Sequence, residues 1–288
     1  MLPQNRIPPD IEEYISATSL DMALDAMADG RATALAGGSD LWAQKDNGNG
    51  RIRSRLVNLA RVPELHGITQ KDGTLRLAAL TTMTEILESD LLADKAPLLI
   101  KTADRFASAQ IRNVATIGGN IANASPAADM VLPLIALDGE VEIVSKSKGM
   151  RMVPLDGFFE GPGKTALASD ELIIAVTVPN PGRYGSFCKS GPRPALEISL
   201  VAMCLTGELK GGILTNTRLV FGAVGPVPMR CQKTEDLING QALNDELIGK
   251  ALESVAGEIA PIDDFRASRW YRTQMAQTFL EQELIACR

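Results

Sequence analysis

The feature that most limits this chain is a local pattern that occurs twice. A short β-prone run ends in two adjacent glycines, at Ala36-Gly37-Gly38-Ser39-Asp40 and again at Thr116-Ile117-Gly118-Gly119-Asn120. Paired glycines admit positive φ and leave no Cβ in the way, so several backbone N–H groups can converge on one anion. Ser39, Thr116 and Asn120 add side-chain donors beside those amides. Each pattern taken alone describes a tight turn between two strands equally well. No P-loop arrangement G-x-x-x-x-G-K-[ST] and no G-x-G-x-x-G occurs in the chain. What remains is a phosphate or pyrophosphate held mainly by the backbone amides of two loops.

Other residues could join such a site. Asp129 closes Ser125-Pro126-Ala127-Ala128-Asp129, a rigid turn whose carboxylate suits ribose-type hydroxyls or caps the next helix. Phe106 stands out in a chain that is 4% aromatic: its ring either lies against a planar cofactor or packs in the core. Lys189, after a strand, either places a positive charge near an anionic cofactor or is a solvated lysine. No nucleophile–base pair or acid–base dyad can be identified from spacing. If the chain is catalytic, a cofactor does the chemistry and the chain positions it.

The single histidine, His66 in PELHGI, rules out a multi-histidine metal site and leaves hydrolytic triads dependent on one residue. A loop or edge position between two strands is its expected role. Cys188, Cys204, Cys231 and Cys287 include no C-x-x-C pair, so buried free thiols are expected rather than iron–sulfur or zinc ligands. A net charge of −6 leaves no electrostatic footprint for nucleic acid or an anionic membrane. No apolar run approaches the roughly 20 residues of a membrane span, and the start lacks the order of a signal peptide. The plain reading is a cytoplasmic protein.

At 288 residues two domains are expected. Thr18-Ser19 can cap a helix with apolar Leu20, Leu24 and Met27, ended by Gly30. ATALAGG, RLVNLA and Leu75–Ala79 read as strands, and Thr82-x-x-Glu85 as a capping box. Helices are expected over Pro97–Ser108 and Ala127–Leu137, then strands over Glu140–Val144, Met150–Val153 and Glu171–Val178, with GPGKTALASD as a loop. VPNPGRYG is the linker candidate. Beyond it, Ile198–Glu208 and Ile213–Val224 alternate like a meander joined at Lys210-Gly211-Gly212, followed by helices over Asp245–Ile259 and Arg266–Ala286.

ALAGGSDL and the later QIRNVATIGGNIANASPAADM together resemble the double-glycine pair of FAD-binding subunits of the molybdenum hydroxylases. That family includes xanthine, nicotinate and carbon monoxide dehydrogenases. The likeness extends through LVNLARVPELHGI, LRLAALTTMTEI, FFEGPGKTAL, DELIIAV and LVFGAVGPVPMRC, most like the xanthine dehydrogenase branch. It implies an α+β chain with a p-cresol-methylhydroxylase-type FAD-binding domain over 1–178, in subdomains of about 1–58 and 59–178. A C-terminal domain of antiparallel sheet and helices would follow over 183–288.

By the resemblance, FAD is held by Thr33, Ala34, Leu35, Ala36, Gly37, Gly38, Ser39 and Asp40, and by Thr116, Ile117, Gly118, Gly119 and Asn120. Phe106 and Ala107 match positions beside the isoalloxazine, Asp129 one that hydrogen-bonds the cofactor, and Ile173 and Lys189 positions that close over the flavin. AGGSD lacks the histidine of the AGGHS form seen in carbon monoxide dehydrogenases, which favours the purine-type branch. The cysteine-rich insertion of hydroxybenzoyl-CoA reductases is also missing.

The implied role is a relay. A molybdopterin subunit hydroxylates a heterocycle of the xanthine or hypoxanthine type, and a 2Fe–2S subunit carries the electrons. FAD in this chain passes them to NAD+, within a heterotrimer able to dimerise. The alternatives are another N-heterocycle such as nicotinate, a quinone or other acceptor, a stand-alone flavin oxidase, and a non-catalytic assembly module.

Overall fold

The computed structural model describes residues 11–46, 52–193 and 198–288. The N-terminal part is a three-stranded parallel sheet in the order Glu13–Ser16, Arg55–Asn58, Ala32–Leu35. Parallel neighbours need a crossover, and helix Leu20–Met27 supplies the first one. Ser19 caps that helix, its Oγ accepting from Met22 N at 3.2 Å. Ala23, Leu24, Ala26 and Met27 are buried in one cluster with Val57 and Leu59, joined by Leu172 and Ile174 from the next sheet and by Leu80 from the turn that follows its second strand.

That second sheet is five-stranded and antiparallel, in the order Ile68–Lys71, Thr74–Ala78, Leu172–Val178, Glu140–Ser145, Gly149–Pro154. A register shift between Ile173 and Ala175 marks a bulge in the central strand. The main hydrophobic core joins this sheet to the helices Met83–Leu87, Pro97–Asp104, Ile117–Asn123 and Val131–Ala136. The expected capping box is present: Glu85 N donates to Thr82 Oγ1 at 3.1 Å and Thr82 N to Glu85 Oε2 at 2.7 Å.

Three helices are shorter than the sequence suggests by more than one residue, the last of them, expected over Arg266–Ala286, beginning at Arg269 after its cap Ser268. The one expected over Pro97–Ser108 stops at Asp104, because Ala107 takes φ +38° and Ser108 caps a new turn, Ala109–Arg112. The one expected over Ala127–Leu137 covers only Val131–Ala136, since Ala127 N is drawn into a local turn by Ser125 Oγ at 3.2 Å. His66 follows the short helical turn Pro63–Leu65, exposed, with Nε2 3.2 Å from the Ala60 carbonyl.

The C-terminal part is a four-stranded antiparallel sheet, Tyr184–Ser190, Val201–Lys210, Ile213–Gly222 and Met229–Arg230, in sequence order. Gly211 (φ +56°) and Gly212 (φ +76°) make its tight turn. Alternation along a strand sends Val201, Met203 and Leu205 to one face, against helices Gln232–Ile238, Asp245–Glu258 and Arg269–Ala286. Ala202 and Cys204 point the other way, into the main core. Polar ties reinforce that junction. Thr206 Oγ1 donates to the Ala136 carbonyl at 2.6 Å, and Asp138 accepts from Arg183 at 2.7 Å and Arg218 at 2.8 Å. The α+β class expected from the sequence is the class observed. Among the described residues, no helix is long and apolar enough to cross a membrane.

Candidate cofactor-binding site

Neither glycine pair joins two strands. The first leads from strand Ala32–Leu35 into helix Ser39–Asp46, and the second lies inside the first turn of helix Ile117–Asn123. Only Gly38 takes positive φ (+70°); Gly37, Gly118 and Gly119 do not. Backbone freedom is therefore not the reason for three of the four glycines. Space explains two of them. A Cβ on Gly37 would lie 1.7 Å from the Val114 carbonyl oxygen, and one on Gly118 would lie 2.7 Å from Ala79 Cβ. The glycines let the strands and the two loops press together, backbone on backbone.

Gly119 differs. A Cβ there would meet only Thr116 Oγ1, at 2.8 Å, and that hydroxyl is the helix cap that accepts from Gly119 N at 3.1 Å. Asn123 Nδ2 donates to Asp40 Oδ2 at 3.1 Å, tying the second helix to the start of the first. The amides of Gly37, Gly38, Ser39 and Asp40 donate to no acceptor among the described residues. Asn120 Oδ1 is buried without a hydrogen-bond partner. Buried polar atoms are rarely left in that state, so this one marks a position for a donor.

Between these turns and the strand end at Ile173 opens a cavity of about 470 Å³. Thr33, Ala34 and Ala36 line one wall, Gly118 and Gly119 a second, and Lys164, Thr165 and Leu167 to Ser169 with Ile173 a third. Its floor is apolar, with Met27, Leu59, Leu80 and Leu172. The third wall comes from GPGKTALASD, which the sequence offered only as a loop. It folds back as a small hairpin, Phe159–Gly161 against Lys164–Thr165.

An ion pair fixes the loop. Arg151 donates to Glu171 Oε1 at 2.8 Å and Oε2 at 2.7 Å, and reaches the Ala166 carbonyl at 3.0 Å, while Ala168 N donates to Glu171 Oε2 at 2.8 Å. The Arg151 hydrogen bond, more than offsetting burial, holds the Glu171 carboxyl below the usual carboxylate range. A depressed pKa stabilises the fold above the unfolded value of about 4.3, and that stability is lost as pH falls through the folded pKa. Glu171→Gln is therefore expected to cost about 2 kcal/mol near neutral pH. Thermal melts of the two proteins should converge as pH falls below about 4. A gap that stays constant with pH would show that Glu171 acts by shape alone.

The expected site residues fall into two groups. Thr33, Ala34, Ala36, Gly118, Gly119 and Ile173 line the cavity, and Leu35, Gly37, Gly38, Ser39, Asp40, Thr116, Ile117 and Asn120 belong to the same two turns. Phe106 and Ala107 occupy the break between two helices, their carbonyls accepting from Arg112 Nη1 at 2.9 and 3.3 Å. Asp129 and Lys189 meet each other: Lys189 Nζ donates to Asp129 Oδ2 at 2.8 Å. Lys189 lies within strand Tyr184–Ser190 rather than after a strand, and it is buried, not a solvated lysine. Ser199, which also binds Asp129, and the Arg151–Glu171 staple carried no sequence signal, because both depend on pairings between distant segments.

Free amides, a buried amide oxygen awaiting a donor and an apolar floor suit a ligand with anionic oxygens, N–H groups and a flat ring. A flavin dinucleotide has all three. Residues 9–181 match the family described as the FAD binding domain in molybdopterin dehydrogenase, and residues 186–285 the CO dehydrogenase flavoprotein C-terminal domain. The chain is 36% identical over 278 residues to the xanthine dehydrogenase FAD-binding subunit of Escherichia coli O157:H7, covering 95% of this chain and 94% of that one. It is 32% identical to the glyceraldehyde dehydrogenase medium chain of Sulfolobus acidocaldarius, covering 94% of this chain and 95% of that one. A solved carbon monoxide dehydrogenase chain from Hydrogenophaga pseudoflava superposes with a TM-score of 0.90 at 27% identity, covering 98% of each chain.

Proposed function

Since the chain belongs to the FAD-binding family of molybdopterin dehydrogenases, we propose that it is the electron-transfer subunit of a molybdenum hydroxylase acting on xanthine-type purines, with NAD+ as acceptor. The observation that carries this reading is that both glycine turns reach one cavity, with the amides of Gly37, Gly38, Ser39 and Asp40 unengaged and Asn120 Oδ1 without a partner in the second turn. Likeness to a xanthine dehydrogenase subunit over 95% of the chain supports the purine assignment.

In this proposal the segments Thr33–Asp40 and Thr116–Asn120 hold the FAD, the pyrophosphate lying on the unengaged N–H groups of Gly37–Asp40 and the Ser39 hydroxyl while Gly118 and Gly119 leave room for it on the facing wall. Phe106, Ala107, Asp129, Ile173 and Lys189 serve the flavin end. Bound FAD exchanges one or two electrons, which suits a junction between one-electron clusters and a two-electron acceptor. The protein orients the cofactor and shields it from water. No residue of the chain is assigned proton transfer to the organic substrate.

The partners proposed are a 2Fe–2S subunit and a molybdopterin subunit, in a cytoplasmic heterotrimer that dimerises. Exposed Ile262, Phe265 and Trp270 are large apolar side chains of the kind an obligate subunit covers. The domain division proposed is 1–178, with subdomains of about 1–58 and 59–178, followed by 183–288. The similarity to a glyceraldehyde dehydrogenase chain favours a second reading, the same relay for another substrate or acceptor.

The test is an absorbance spectrum of the purified chain before and after anaerobic addition of NADH. A flavin spectrum that bleaches is expected. Bound flavin that ignores NADH would move the acceptor to a quinone or another carrier. No flavin after reconstitution with FAD would favour an assembly module.

A further inference from the structure

The cavity that the two glycine turns reach has a second end. Strand Ala32–Leu35 runs along it, with Gly37 following the strand and Gly30 preceding it. Ala32 and Gly37 are five residues apart in sequence, which allows up to about 17 Å of extended chain between the two ends. At the Gly30 end the third wall closes against the first, where a Cβ on Gly30 would lie 2.6 Å from Ser169 Oγ.

Arg53 stands at this second end and lines the cavity. Its N donates to Thr33 Oγ1 at 2.9 Å. Its Nη1 donates to the Gly30 carbonyl, and to the Ala32 carbonyl at 3.2 Å. Among the described residues Arg53 makes no ion pair, and its Nε and Nη2 donate to no acceptor. Those two nitrogens carry most of the N–H donors of a guanidinium. The group is thus fixed through one nitrogen, with a planar edge to spare. Ordering it in advance lowers the entropy that a ligand would lose on binding.

Of the residues assigned above to the flavin end, Ile173 lines this cavity, whereas Phe106, Ala107, Asp129 and Lys189 do not. The half of the dinucleotide left for the second end is the adenosine. An adenine ring offers two apolar faces. One can lie on the floor of Met27, Leu59 and Leu80, and the guanidinium plane can cover the other, as arginine stacks on bases.

We infer that Arg53 is a specificity-determining residue that holds the adenosine half of the cofactor, so that the site selects a dinucleotide over a flavin mononucleotide. The inference rests on the FAD reading above and deepens it. The glycine turns hold a phosphate whatever it is joined to. Arg53 lies beyond the reach of a mononucleotide whose flavin points toward Phe106, and only the second nucleotide extends to it.

The experiment uses the full chain stripped of flavin, with FAD and ADP as the probes. Arg53→Ala should weaken both roughly tenfold and by the same factor, because ADP carries everything that Arg53 touches. Arg53→Lys keeps the charge and can still donate to the Gly30 carbonyl, but it has no plane to lay on a base. It should lose nearly as much, and it serves as the test if Arg53→Ala does not fold. A thermal melt without ligand reports the loss of the two carbonyl ties separately.

FAD weakened with ADP unchanged would place Arg53 at the flavin half and overturn the inference. Wild-type affinity for both probes in either variant would overturn it as well. So would ADP that fails to displace FAD from the wild type at millimolar concentration, since the adenosine half would then have no hold of its own. Wild-type protein that takes up no FAD would sink the FAD reading itself, a result distinct from these.

Discussion

Gly37→Ala is expected to melt about 10 °C below the wild type, or to yield little folded protein at all. The obstacle is space, not conformation, because Gly37 does not take positive φ. The added Cβ would sit 1.7 Å from the Val114 carbonyl oxygen and 2.6 Å from its carbon. Backbone cannot swing aside as a side chain can. The contacted segment is also pinned: Ala115 N donates to the Ile111 carbonyl at 2.7 Å, and Met83 N donates to the Ala115 carbonyl at 3.1 Å. Overpacking of this severity costs about 3 kcal/mol or more, a large part of a typical stability of 5–15 kcal/mol. Thermal unfolding followed by circular dichroism would decide it. An unchanged melting temperature would mean that the two loops part more easily than their packing implies.

Gly119→Val should do the opposite, leaving a folded protein without its cofactor. The added Cβ meets no backbone from outside the helix and approaches only Thr116 Oγ1, at 2.8 Å. Losing that cap costs about 1 kcal/mol, which the fold tolerates. The branched side chain fills space in the cavity that Gly119 lines, where the cofactor is proposed to lie. FAD affinity should fall by about 3 kcal/mol, more than a hundredfold. The ratio of flavin to protein absorbance, measured beside a thermal melt, separates the two effects. A folded Gly119→Val protein with normal flavin content would remove Gly119 from the site.

The contrast between the two glycines marks the limit of what the sequence discloses. Both pairs look alike as text, and both suggest turns that need glycine for its backbone freedom. In the structure only Gly38 uses that freedom, while Gly37 and Gly118 exist for close approach to Val114 and Ala79. The neighbours that impose this are remote in sequence, so no local pattern announces them. Signals that act within one turn were legible. Ser19 and Thr82 cap the helices that begin after them, and the Thr82–Glu85 box closes as written. The alternation over Ile213–Gly222 gives the strand it suggests.

Helix ends were the weak point. Apolar spacing continued past Asp104 and before Val131, but Ser108 and Ser125 offered the backbone local alternatives and won. Long-range polar pairs were illegible: nothing near Lys189 announces Asp129, and nothing near Arg151 announces Glu171. The stretch GPGKTALASD shows the same limit. Its turn residues identified it as a connection, while its place in the wall of the cavity depends on the Arg151–Glu171 staple.

The contact between Gly37 and Val114 also fixes when the cradle can come into being. The Asp40–Asn123 hydrogen bond beside it joins residues 83 positions apart, so the two turns meet only after a long stretch of chain has been ordered. Contacts of such separation cost loop-closure entropy first and repay it late, and they set the pace of folding. During synthesis the first turn waits, with its amides solvated, until the second has been made and docked. On the proposed binding mode, capture of a dinucleotide between them is a closing step of folding, and a ligand present early has only half a cradle to bind.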